Sequence, residues 1–375
     1  MLSKSNLDES YPLRRQEVRK VIKGVLESAG TPIDIGKLGF FAAAKSVMAM
    51  TWGGSGGMIG VDGAELEDKF REVVDEMMVL IASPNLSDLF PVLGRFDLQG
   101  IARKMKKVMN VCDEILNSAI EEQRKMGGNG VERRGFLQFL LKVRDGEDRS
   151  ESITDNQLKA LLMDIIIGGT DSTSTTIEWA ITELIQQPNI MMKVMEELTK
   201  VVGLNQMVEE FHLSKLFYLD AVIKEKLRLH PPLTLLVPRK STQTSILGGY
   251  TIPKGSTIYF NMWAIQRDPK VWDNPLNFMP ERFLNESNGE VYDFTGNSIE
   301  FCPFGSGKKL CAGIPLAERL LVLILASLLH AFEWELLEGS KLDLEEKFGI
   351  VTKKFNPLVA ILMPRISNLE LYNIM

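Results

Sequence analysis

A mainly helical fold with small β-hairpins is what the sequence predicts, and three observations carry that prediction. The first two thirds of the chain repeats apolar residues at three- and four-residue spacing, the period of a helix with one buried face. The β-prone runs are short and follow His230-Pro231-Pro232. Between them, Thr154 and Gln157 form a capping box that opens a long periodic run ended by Pro188. The 375 residues are 45% hydrophobic and 25% charged, which excludes wholesale disorder, collagen and a multi-span membrane protein. A formal net charge of −6 is a poor default for a nucleic-acid partner, which wants a basic surface stripe.

Taken in order, Arg14 to Ser28 reads as a charged helix and Phe40 to Trp52 as an apolar one. Glu65 to Ile81 places Phe70, Val73, Val74, Met77, Met78 and Ile81 on one face. Ile101 to Lys125 and Phe136 to Val143 are further helices, separated by a loop at Gly127-Gly128-Asn129-Gly130. The longest helix is predicted from Asp155 to Gln187, about 50 Å at 1.5 Å per residue. Ser214 to Leu229 is a helix that His230-Pro231-Pro232 ends.

Beyond it, Tyr250 to Tyr259 is predicted to be a hairpin around Pro253-Lys254-Gly255. An irregular Pro-rich stretch runs to Phe304, then an apolar helix from Ala312 to Phe332. Phe348-Gly349-Ile350-Val351 and Pro357 to Ile361 suggest a terminal hairpin. The longest apolar stretch, Leu320 to Leu329, is half of the ~20 residues a membrane span needs. The chain as written is therefore expected to be soluble, and it begins without an apolar leader.

Several patterns bear on chemistry. Gly53-Gly54-Ser55-Gly56-Gly57 matches the G-x-S-x-G of serine hydrolases, but that elbow needs a strand before the serine. The preceding segment reads as helix, so a flexible connection is the better reading of Ser55. Gly305-Ser306-Gly307-Lys308-Lys309 lacks the spacer and the hydroxyl residue of a phosphate loop. Cysteines 112, 302 and 311 form no C-x-x-C and read as reduced thiols, and three scattered histidines leave little for a zinc site.

Cys311 differs from the other two. It lies between a glycine-rich loop and the start of an apolar helix, where free N–H groups and the helix dipole favour a thiolate. On local context it is a nucleophile, a metal ligand or a buried apolar residue. Gly168-Gly169-Thr170-Asp171-Ser172-Thr173 breaks helix propensity at the centre of the longest helix. Either ligand room with an acid–alcohol pair at Asp171 and Ser172, or close helix packing, would account for it. Glu225 and Arg228 stand at i,i+3, a spacing usual for surface ion pairs, while Pro280-Glu281-Arg282-Phe283 offers a second arginine to Glu225.

Together these residues resemble a known family. Phe304-Gly305-Ser306-Gly307-Lys308-Lys309-Leu310-Cys311-Ala312-Gly313 resembles the cytochrome P-450 haem loop, F-x-x-G-x-R-x-C-x-G. Glu225, Arg228 and Arg282 look like its Glu-Arg-Arg lock, and Gly168 to Thr173 like its oxygen-activating helix motif. Trp263 to Pro269, with Trp272 and Pro275, is similar to plant microsomal members, and Cys311 to Trp334 to the sesquiterpene- and phenolic-hydroxylating branch. Two positions depart from the pattern. Lys309 stands where Arg or His is usual, keeping the charge without the bidentate fork, and Ser172 stands for Thr.

The resemblance implies one haem-binding monooxygenase domain over residues 1–375, helical around haem b. It implies Cys311 as the axial ligand and Asp171 and Ser172 as the proton-delivering pair. Lys309 and Arg239 would hold propionates, with Phe304, Gly305 and Gly313 shaping the haem loop. Glu225, Arg228 and Arg282 would be structural. Substrate walls would come from Ile166, Gly169 and Thr170, from Thr234, Leu236 and Val237, and from Phe348 to Val351 including Ile350. A small lipophilic substrate, terpenoid or phenolic, is expected. NADPH would supply electrons through a cytochrome reductase docked near Lys308 and Lys309. The family's N-terminal anchor and first strands are expected to lie outside this chain, the full-length form sitting on the cytosolic face of the endoplasmic reticulum. A remnant that binds haem weakly or not at all is the rival expectation.

Overall fold

The computed structural model describes residues 1–54, 63–127, 135–145, 153–284, 292–347 and 349–373. Helices α1 (Lys4–Glu9) and α2 (Tyr11–Glu27) lead through strand β1 (Pro32–Asp34) to α3 (Ile35–Trp52) and α4 (Gly63–Ala82). There follow α5 (Leu86–Leu89), α6 (Ile101–Gly127), α7 (Phe136–Asp145), α8 (Asp155–Gln186), α9 (Pro188–Val201), α10 (Glu210–Leu213) and α11 (Phe217–Leu229). The remainder comprises β2 (Arg239–Lys240), β3 (Ser245–Leu247), β4 (Tyr250–Ile252), β5 (Thr257–Ile258) and α12 (Met262–Ile265), then α13 (Ile314–Ala331), β6 (Phe332–Leu336), β7 (Glu346–Lys347), β8 (Lys353–Lys354) and β9 (Val359–Pro364). This is the mainly α architecture expected. Ser55 and Phe348, like residues 128–130 of the glycine loop, lie outside the described residues.

Helix α8 is the axis. Both halves of its capping box form: the Thr154 side chain accepts from the Gln157 amide, and the Gln157 side chain accepts from the Thr154 amide at 2.9 Å. Gln187 caps its far end, and α9 restarts at Pro188. Along one side α8 packs on α3, and small residues set how closely. A Cβ on Gly39 would lie 3.4 Å from the Ser174 backbone, one on Gly36 3.0 Å from the Glu178 carboxylate, and one on Gly169 3.0 Å from Val47. The Ser174 hydroxyl donates to the Gly36 carbonyl at 2.7 Å, which ties the crossing. Helix α13 is long and apolar enough by composition to cross a membrane, but residues 320–331 are all buried, and it packs on α2, α3, α8 and α9.

Two expected hairpins are not formed. The runs flanking Pro253-Lys254-Gly255 belong to different sheets: β4 pairs with β3, and β5 pairs with β2. Gly248 and Gly249, with φ of 58° and 84°, make the tight two-residue turn between β3 and β4, and this signal outranks the Pro-Lys-Gly. The tail segment 357–361 does not pair with residues 349–351. Strand β9 instead lies between β1 and β6, so the chain's two ends share one antiparallel sheet. Residues 349–351 lie in the tip of a smaller hairpin, in which Glu346 pairs with Lys354 and Lys347 with Lys353.

The far half of α8 is inside the core and carries charge. Glu178 accepts from the Leu358 amide at 2.9 Å, and burial, reinforced by the negative charge of Asp34, pushes its carboxyl up to about 7. A carboxyl raised on folding adds stability below its unfolded value of 4.5 and loses it as the pH rises through about 7. Glu178→Gln keeps the acceptor for Leu358 and removes the charge. Its thermal midpoint is therefore expected to match wild type near pH ~4.5 and to exceed it increasingly towards pH ~8, as scanning calorimetry across pH would measure.

Candidate functional site

The site begins with a carboxylate that has no exposure to water. Glu225 on α11 is held by Arg228 through two hydrogen bonds of 2.7 and 2.8 Å, both side chains fully buried. Arg282 approaches the same carboxylate at 3.3 Å, and the Met279 amide donates to it at 2.8 Å. Arg228 spends its remaining donors on the carbonyls of Gln266, Pro275 and Asn277, at 2.8, 2.8 and 3.3 Å. The i,i+3 pair that reads as a surface contact is thus the anchor of an irregular segment with no ladder of its own.

From this anchor an aromatic chain runs to the cysteine loop. Arg228 lies over Trp272, whose ring meets Phe283; Phe283 packs on Phe301, Phe301 on Phe294, and Phe294 edge-on against Phe304 at 4.9 Å. The loop closes with the Gly305 amide donating to Cys302, Leu310 to Gly307 and Cys311 to Phe304, all at 2.9–3.0 Å. Gly305 and Gly307 adopt φ of 78° and 64°, the left-handed region that glycine enters freely.

Within that loop Cys311 is exposed, and Cys112 and Cys302 are buried. The Gly313 amide, at the N-cap of α13, donates to the Cys311 Sγ at 3.3 Å. Lys308 and Lys309 stand exposed in the preceding turn. Arg239 on β2 stacks on Phe260 at 4.8 Å, and a Cβ built on Gly305 would lie 3.9 Å from both its guanidinium and Leu236. The structure therefore brings Arg239, Leu236, Gly305 and the Lys309 backbone together. Leu236 itself has φ of 52°, a left-handed conformation unusual for leucine. Val237 is exposed, and Thr234 meets Thr352, hydroxyl to hydroxyl, at 3.3 Å beside Ile350 in the hairpin tip.

On α8 the two glycines do different work. Gly169 is filled by Val47, and Ile166 and Thr170 are buried at 1% and 0% exposure, so these three predicted wall residues face packed protein. A helix turns about 100° per residue, which puts Gly168 on another side. There a Cβ would meet nothing within 4 Å. Leu161, Ile165, Gly168 and Ser172 form that open stripe at the three- and four-residue spacing of one helix face, with Leu161 and Gly168 exposed and Ile165 and Ser172 half-buried. Ser172 donates to the Gly168 carbonyl at 2.9 Å, closing the preceding turn. Asp171 is buried, and Lys353 holds its Oδ1 at 2.5 Å, so it is not hydrogen-bonded to Ser172.

Sequence reading missed Lys353, Gly168's separate role, and Gly296. The last could have been found only from the fold. Gly296 has φ of 73°, its carbonyl accepts from Ser306, and a Cβ there would lie 2.5 Å from the Gly305 carbonyl oxygen. Gly296→Ala therefore has to push the cysteine loop aside. A loss of about 1–3 kcal/mol in denaturant unfolding is expected, with faster thiol labelling of Cys302 beneath the loop.

These residues suit a haem. An accessible sulfur receives a helix N-terminal N–H, the glycine turn before it lies against the Arg239 guanidinium, and α8 presents a bare glycine.

The comparisons with known proteins agree. The family model for cytochrome P-450 matches residues 1–360. The chain is 37% identical over 98% of its length to a flavonoid 3'-monooxygenase of Petunia hybrida, spanning 72% of that protein. It is 36% identical over 97% of its length to a geraniol 8-hydroxylase of Swertia mussotii, spanning 73% of it. Among solved structures, a zebra fish cytochrome P-450 with abiraterone superposes with a TM-score of 0.75 at 24% identity, covering 97% of this chain and 79% of that one. By its cysteine loop, its buried glutamate–arginine lock and these matches, the chain belongs to the cytochrome P-450 family.

Proposed function

We propose that this chain is a haem-thiolate monooxygenase, inserting one oxygen atom of O2 into a lipophilic terpenoid or phenolic molecule. The observation that carries the reading is the state of Cys311: the one exposed thiol among the described cysteines, presented at a helix N-terminus with the Gly313 amide donating to its sulfur. When bound, the haem supplies dioxygen activation, which a thiolate ligand favours by pushing electron density to the iron.

The protein's own contribution is positioning. Cys311 would ligate the iron, with the Gly313 N–H tempering the sulfur's charge. Arg239 and Lys309 would pair with the propionates, and Phe304, Gly305 and Gly313 shape the loop. Ser172 on the open stripe would orient a proton donor, and Asp171, one residue along, would hold the proton that it passes. Leu161, Ile165 and Gly168, with Leu236 and Val237 after α11 and Ile350 in the hairpin tip, would offer mostly apolar walls. That lining supports a substrate recognised by shape more than by charge.

Electrons would come from NADPH through a cytochrome reductase, and exposed Lys308 and Lys309 beside Cys311 suit an acidic docking face. We place the working enzyme at the cytosolic face of the endoplasmic reticulum. The exposed apolar side chains of Leu89, Phe90, Val92, Phe96 and Leu98 support a membrane-facing surface around α5. The rival reading, a remnant that takes up no haem, makes the opposite prediction in one experiment. The reduced, CO-bound difference spectrum of the purified chain reconstituted with haem is expected to carry the Soret band of a thiolate-ligated iron, and Cys311→Ala to lose it. Failure of the wild-type chain to take up haem would overturn the reading.

A further inference from the structure

Asp171 is the least exposed acid near the centre of α8, and it is half satisfied. Its Oδ1 is held by Lys353 at 2.5 Å, whereas its Oδ2 is buried without a hydrogen-bond partner. A buried carboxylate oxygen left unpaired is costly, so its persistence asks for a reason.

Lys353 comes from β8, in the small hairpin near the C-terminal end, and it does not serve Asp171 alone. Its ammonium also donates to Asp75 on α4 at 2.6 Å. Asp75 is in turn 3.9 Å from Arg71, which is 3.9 Å from Asp34 at the N-cap of α3. The charges alternate in sign along this row, and exposure falls inward, from 44% at Asp75 through 29% at Lys353 to 2% at Asp171. One lysine therefore joins a water-facing acid on α4 to a water-excluded acid on α8.

We propose that Lys353 is a positioning residue for Asp171, and that by sharing its charge with Asp75 it ties the acid's protonation to the seating of α4. The assignment rests on the part given to Asp171 in the proposed function.

The electrostatics around Asp171 make the two partners act in opposite directions. Burial raises the Asp171 carboxyl above its ordinary value, Lys353 opposes that rise, Asp75 adds to it, and Arg71 opposes it. Lys353 is itself held above the usual lysine range: the attraction of Asp171 and Asp75 outweighs a burial that alone would lower it. Movement of α4 that carries Asp75 away would leave the whole ammonium to Asp171 and favour its carboxylate. Seating of α4 divides the ammonium between two acids and favours the protonated form.

The test needs no turnover. Difference infrared spectra of the purified chain across pH follow the Asp171 carboxyl band, which Asp171→Asn identifies by removing it. Lys353→Met is expected to move that titration to higher pH, Asp75→Asn to lower pH, and Lys353→Arg to return it towards wild type. A contact that merely braces the fold would be lost alike in both variants. Titrations that shift in the same direction, or not at all, would overturn the proposal. Turnover of Asp171→Asn after haem loading probes the underlying reading separately, with at least a tenfold loss expected. An unchanged rate there would overturn the acid's role, while the infrared result would still report whether Lys353 governs it.

Discussion

A carboxylate with no access to water governs this structure. Taking Glu225 out of solvent costs several kcal/mol unless its charge is met by well-placed donors. Arg228 meets it with a two-point contact, and Arg282 and the Met279 amide take further positions around it. The requirement works in both directions. Because Glu225 needs donors, residues 274–282 must return to α11, and because Arg228 has donors to spare, it fixes the Pro275 and Asn277 carbonyls of that segment together with that of Gln266. A stretch with almost no regular secondary structure acquires one conformation from a single ion pair.

That conformation is passed on by packing. Trp272, under the Arg228 guanidinium, starts a run of rings that ends at Phe304, the first residue of the cysteine loop. Gly296 and Ser306 bind the loop's other flank. Cys311 is thus presented to solvent by a scaffold whose rigid end is a buried charge pair more than eighty residues away in sequence. Elsewhere in the chain, α8 is pressed to α3 through Gly36, Gly39 and Gly169, which fixes the direction in which Gly168 is bare. The site is built from two independently braced parts.

Much of this was legible in the sequence, for reasons that can be named. Helices with local signals carry their bounds in the sequence, as with the Thr154–Gln157 capping box and the Pro188 stop of α8. The cysteine at a helix start and the Glu225, Arg228 and Arg282 set were legible because their spacing is short or their pattern specific. Strand pairing was not: the Pro253–Gly255 turn competes with Gly248-Gly249 for the same strand, and β9 finds partners at both ends of the chain, which no local pattern encodes. Within the Gly168–Ser172 run, ligand room and close packing looked like alternatives. Adjacent residues on a helix point about 100° apart, so both hold, one for each glycine. Lysines gave the least warning. No local pattern marks Lys353, which joins two acids, and Lys226, fully buried beside Thr176 at 3.1 Å, has its ammonium pushed well below the usual lysine range by that burial.

The central claim is that the Glu225 charge holds the cysteine loop in place. Amide hydrogen exchange of the wild-type chain and of Glu225→Gln tests it most directly, because the substitution keeps the side chain's shape and removes its charge. The account predicts that the amides of Gly305, Leu310 and Cys311 lose protection together while the α3–α8 pair keeps its own. A cysteine loop as protected in Glu225→Gln as in the wild type would contradict it.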